Sequence, residues 1–69
     1  MREFKLTEDF IELVKLLKLL RIAQTGGHAK IIVEDGEVFL NGEPEYRKRA
    51  KLRVGDEIEV MGEVIKIVE

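Results

Sequence analysis

The spacing of apolar residues between Phe10 and Leu20 restricts the fold of this chain more than any other feature. Phe10, Leu13, Val14, Leu17 and Leu20 recur at intervals of three and four. That spacing puts them on one side of an α-helix and predicts a helix from Glu8 to about Ala23 with one buried stripe. Thr7 stands where an N-cap belongs. Glu8 and Asp9 fall in the first turn, and Lys18 and Arg21 near the last, the order that the helix dipole favours.

The remaining elements are arranged around that helix. Arg2 to Leu6 alternates polar and apolar residues, with Phe4 and Leu6 on one face, as a short strand does. Thr25 caps a second helix, whose face of Ala29, Ile32 and Val33 ends at Gly36. Glu37 to Leu40 reads as a strand, and Asn41-Gly42 after it is a strong hairpin-turn signal. Gly55-Asp56 opens another strand carrying Ile58 and Val60, and Met61-Gly62 turns it back into Val64 to Val68. Helices and strands segregated in this order give an α+β fold, in which an N-terminal strand and a two-helix hairpin pack on a small antiparallel sheet. At 69 residues the chain is one domain, 1–69, and its stability has to come from its packed core because there is no cysteine to staple it.

The residue inventory excludes several kinds of chemistry. Without Cys or Ser, and with a single His, the chain has no thiol or Ser-His-Asp nucleophile, redox pair or Cys-based zinc site. Fourteen carboxylates remain, but a domain this small has little volume left for an enclosing catalytic pocket, so the expectation is no enzyme and no cofactor. No apolar run approaches a membrane span, and the opening residues lack the order of a signal peptide, so a soluble, cytoplasmic protein is expected. The bias toward Glu, Lys, Val and Ile over Ser, Asn and Gln is thermophile-like.

A net charge of −2 hides a strong segregation of sign. Between Lys15 and Lys30 the charged residues are Lys15, Lys18, Arg21 and Lys30, and between Arg47 and Arg53 they are Arg47, Lys48, Arg49, Lys51 and Arg53. Nine of the twelve basic residues thus sit in two acid-free windows, with Glu34, Asp35, Glu37, Glu43 and Glu45 between them. A charge run is by default a solvated face, yet surfaces built only for solubility mix their signs. The second window also lies between Pro44 and Gly55, in a connection of the kind that carries contacts. Its Arg and Lys side chains suit phosphate oxygens.

Thr25, Gly26, Gly27 and His28 add a helix start, where free N–H groups face an anion and glycine permits close approach. Taken alone, Gly-Gly is more often a tight turn, and His28 more often a solvent-facing residue than a ligand. Tyr46 beside the basic run suits stacking on a base, although a lone Tyr is more often packing.

Together the stretches Leu16-Leu17-Lys18, Thr25 to Lys30, Glu34 to Gly42, Glu43 to Arg49, Lys51-Leu52 and Gly55-Asp56 resemble the S-four RNA-binding domain, named after a small-subunit ribosomal protein. The similarity is greatest to its small stand-alone bacterial members, the YbcJ/YaaA-like group, and covers nearly the whole chain. It implies an alpha-L-type helical hairpin with an RNA-binding surface at Thr25, Gly26, Gly27, His28 and Lys30 and at Arg47, Lys48, Arg49 and Lys51. These positions fall in the two windows already marked by charge. Many members carry Arg beside the Thr that opens the second helix; Gly26 stands there here, as in the stand-alone group.

The function expected is therefore a non-catalytic module for structured RNA, ribosomal or transfer RNA being the candidates, acting as a monomer and without a metal. The competing class is a protein-interaction module that docks an acidic partner on the same basic face. Membrane attachment through Lys15, Lys18 and Arg21 is disfavoured, because the neighbouring Leu residues are needed for the core.

Overall fold

The computed structural model describes residues 1–69. Its elements are β1 (Arg2–Lys5), β2 (Ile11–Glu12), α1 (Leu13–Leu19), α2 (Gly26–Glu34), β3 (Val38–Leu40), β4 (Glu43–Pro44), β5 (Lys51–Leu52), β6 (Glu57–Val60) and β7 (Glu63–Val68). A five-stranded sheet runs in the order β1-β7-β6-β3-β4, and β2 and β5 form a separate two-stranded ribbon. The α+β class matches the sequence reading, with one correction: β1 pairs with β7 in parallel, so the main sheet is mixed rather than antiparallel.

The turns have a clear local cause. Asn41 and Gly42 have φ of 52° and 88°, and Met61 and Gly62 have 50° and 81°. Two successive positive φ values match the right-handed twist of the strands they join, which is why Asn-Gly is favoured at such a site. Val38, Ile58, Val60, Ile65 and Ile67 then point to one face of the sheet and are fully or almost fully buried. Leu13, Leu16 and Leu17 of α1 and Ala29, Ile32 and Val33 of α2 cover that face. Each large apolar side chain buried this way stabilises the fold by about 1.5–3 kcal/mol.

The first helix is shorter than its periodicity suggests. It starts at Leu13 rather than Glu8, Thr7 does not cap it, and its first turn contains no acid. Ile11 and Glu12 are instead drawn into the ribbon with Leu52 and Lys51. Phe10, placed by spacing in the buried stripe, is half-buried and outside the core, whereas Leu16 is fully buried. The helix also ends before Ala23. Arg21 adopts φ 61°, its N–H donates to the Lys18 carbonyl, and the Ile22 N–H donates to the Leu17 carbonyl. This is a Schellman closure with arginine in the left-handed position usually taken by glycine. The second helix closes in the same way with Gly36 at φ 79°. No helix is long and apolar enough to cross a membrane.

Candidate nucleic-acid interface

The two basic windows meet because the later one completes the first helix. The N–H of Leu13 donates to the Ala50 carbonyl at 2.9 Å, and that of Val14 to the Lys48 carbonyl at 3.1 Å. A helix start always leaves such donors without intrahelical partners; here a distant loop supplies the acceptors. With Glu12 opposite Lys51 in the ribbon, residues 48–52 are stitched to the start of α1. Gly26 and Lys30 from α2 then share a concavity with Lys48 and Arg49 from the loop, and with Glu12 as its one acid. Arg47, Arg49 and Lys51 line a second hollow, and Lys18 and Arg21 a third at the other end of α1.

The start of α2 is formed as its sequence suggests. Thr25 Oγ1 accepts from the His28 N–H at 3.0 Å, and His28 Nδ1 accepts from the Gln24 N–H at 3.3 Å. The two side chains cap one another's neighbourhood in a variant of the capping box. His28 is therefore exposed but occupied, and its Nδ1 is a hydrogen-bond acceptor. The N–H groups of Gly26 and Gly27 have no protein acceptor. No atom comes within 4 Å of where a Gly26 side chain would start. The first turn holds no acid, so these N–H groups face an open, uncompensated positive helix end.

The cations of the second window are not equivalent. Glu45, the one buried charged residue, accepts from Arg47 through both side chain and backbone. Its Oε2 takes the Arg47 N–H at 2.9 Å and Nε at 3.0 Å, and Oε1 takes Nη2 at 3.0 Å. These hydrogen bonds from Arg47 hold the Glu45 carboxyl below its ordinary value, and burial opposes them only in part. Lys48 lies 3.6 Å from Glu34. Arg53 spans Asp9 and Asp56, its Nη1 donating to the Asp9 carbonyl at 3.3 Å and its backbone N–H to the Asp56 carboxylate at 2.8 Å. Lys15, Lys18, Arg21, Lys30, Arg49 and Lys51 take part in no ion pair.

Tyr46 leans on the end of α2. A side chain at Gly36 would start 3.2 Å from Tyr46 Cε1, so the ring rests against the glycine backbone while the residue remains 61% exposed. Sequence reasoning missed the neutralisation of Arg47 by Glu45, and only their spacing of two residues pointed to it. No group of acidic or imidazole side chains is arranged to hold a metal ion.

A family model described as S4 domain matches residues 4–68. The chain is 43% identical over 54 residues to the "Probable ribosome maturation protein RlbA" of Bacillus subtilis, covering 78% of this chain and 76% of that one. It is 36% identical over 58 residues to YbcJ of Escherichia coli, 84% of this chain and 83% of that protein. The solution structure of YbcJ, described as revealing an "alfaL" motif involved in RNA binding, superimposes with a TM-score of 0.74 and 34% identity over 100% of this chain and 89% of that one.

Proposed function

The chain belongs to the S4 domain family, and from that membership we propose that it is a non-catalytic RNA-binding module that grips structured RNA through phosphate contacts from its basic face. The observation that carries this reading is the convergence of three cations, Lys30, Lys48 and Arg49, with Gly26 around one concavity in which Glu12 is the one acid. That concavity combines side-chain cations with the unoccupied N–H groups at a helix start, the combination that suits a phosphate. Phosphate contacts fix register and orientation without reading sequence. A rigid patch of this size meets RNA as shape, because A-form helices hide their base edges in a deep groove. The name of one relative, a probable ribosome maturation protein, favours ribosomal RNA as the natural target.

The test is binding of the purified chain to a ribosomal RNA hairpin, a transfer RNA and a DNA duplex across a salt series. The expected result is tighter binding to RNA than to DNA, with a log–log salt slope of about −3 to −5, which corresponds to roughly four to six phosphates. Absence of binding to any of the three at low salt overturns the proposal and leaves the face to an acidic protein partner.

A further inference from the structure

Phe10 is half-buried but lies outside the core of this domain. It belongs neither to the 16-residue core cluster nor to the half-buried apolar side chains laid against it. Its ring instead faces two cations, with Lys51 Nζ 4.9 Å and Arg53 Cζ 5.7 Å from the centroid. Phe10 also lines a groove of about 370 Å³ together with Phe4 of β1 and Lys15 and Leu19 of α1. Leu19 is 56% exposed there, so the groove has apolar walls that the core leaves uncovered.

The charges around the groove indicate what fits it. Glu8 and Glu12 line it, and neither takes part in an ion pair. Lys5 and Lys15 line the groove as well, so its charge is balanced: the carboxylate oxygens can accept the N–H groups that a base edge donates, while the lysines can meet the adjoining phosphates. Those phosphates lie at the rim. Lys15 lies there, on the helix that carries Lys18, and Lys51 also borders the hollow of Arg47 and Arg49. Lys51, over the Phe10 ring, therefore links the groove's aromatic wall to the basic face. Aromatic rings flanked by cations are the usual platform for unstacked bases, which stack with little regard to sequence.

We propose that this groove is a subsite for a single unstacked nucleobase of the bound RNA, stacked on Phe10 while its flanking phosphates run along Lys15 and Lys51. The inference rests on the RNA-binding reading above and adds to it a contact that a blunt duplex cannot make. The bound RNA is then a helix with a single-stranded flank rather than a closed stem.

The experiment compares one RNA hairpin carrying a short single-stranded adenosine tail, placed at either end in turn, with the same hairpin carrying an abasic tail. For the unmodified protein the adenosine tail binds about 5- to 140-fold more tightly than the abasic one, from the contribution of one base–aromatic stack. In Phe10→Leu that ratio falls to near one; because it is taken within a single variant, it does not depend on how well the variant folds. The chain has no Trp, so Phe10→Trp introduces a single fluorophore, which the adenosine tail quenches and the abasic tail does not. If the hairpin binds but the two tails are equivalent, or the ratio survives in Phe10→Leu, the subsite is wrong and the phosphate-binding reading stands. If neither tailed hairpin binds at low salt, both readings fall.

Discussion

Replacing Arg21 with glycine is expected to move stability and RNA binding in opposite directions. Arg21 holds φ 61° at the end of α1, a conformation that costs a residue with a side chain roughly 1–2 kcal/mol. Glycine adopts it freely but loses more backbone entropy on folding, about 0.5–1 kcal/mol. The Arg21 side chain is exposed and joins no ion pair, so no packing is lost. The net gain for Arg21→Gly is about 0.5–1 kcal/mol, read as a rise in Tm of roughly 2–8 °C. Binding moves the other way if Arg21 touches a phosphate. Losing one contact makes the salt slope shallower by about 0.7–0.9, which weakens binding about five- to eightfold at roughly 0.1 M salt. Thermal unfolding and RNA titration across salt check the two halves. Lys66→Ala is the control, since it removes the same charge from a side chain that bonds the Gly55 carbonyl on the sheet. A fall in Tm for Arg21→Gly refutes the backbone argument. A slope change equal to that of Lys66→Ala refutes the local one, because net charge alone would then explain the loss.

Gly36→Ala is the converse substitution: at φ 79° the strain less the entropy returned by removing glycine destabilises by about 0.5–1 kcal/mol, and the new side chain starting 3.2 Å from Tyr46 Cε1 adds to it. Urea denaturation measures this, and adding Tyr46→Ala relieves the contact but leaves the backbone cost. Thr25→Ala removes the acceptor of the His28 N–H and lowers stability by about 1 kcal/mol, or a Tm drop of roughly 4–8 °C. The Glu45 carboxyl is lowered chiefly by the Arg47 side-chain hydrogen bonds, so the folded chain releases that proton more readily than the unfolded one. Its contribution is complete above the ordinary Glu range and is lost as pH falls through the lowered folded value. Urea midpoints through that acid range are expected to fall less steeply in Arg47→Ala, and an unchanged profile would count against the pairing.

What the sequence revealed was mainly local. The Thr25 cap, the Asn41-Gly42 and Met61-Gly62 turns and the segregation of basic residues depend on near neighbours and were all readable. The start of α1 was not. Thr7, Glu8 and Asp9 have the chemistry of a helix start, and the apolar period runs on through Phe10. What decides the boundary is a ribbon with Lys51 and Leu52 and two carbonyls, those of Lys48 and Ala50, from a loop far along the chain. The parallel pairing of β1 with β7 is equally non-local. At the candidate site, charge counting found the second window but treated its cations as alike; the burial of Glu45 separates Arg47 from Arg49. Phe10 was misplaced because helical spacing alone does not say where a helix begins.

The way α1 is completed makes the helix pair unsuitable for transplantation. Seven residues are too few to hold a helix in isolation, and this one borrows its first acceptors from the loop beyond β4. A peptide containing only α1 and α2 would keep Lys15, Lys18, Arg21 and Lys30 but lose both the acceptors that hold α1 and the loop that brings Arg49 beside Lys30. Grafting the surface onto another scaffold therefore requires the segment from Ile11 through Leu52 as one piece, together with the sheet that supports it.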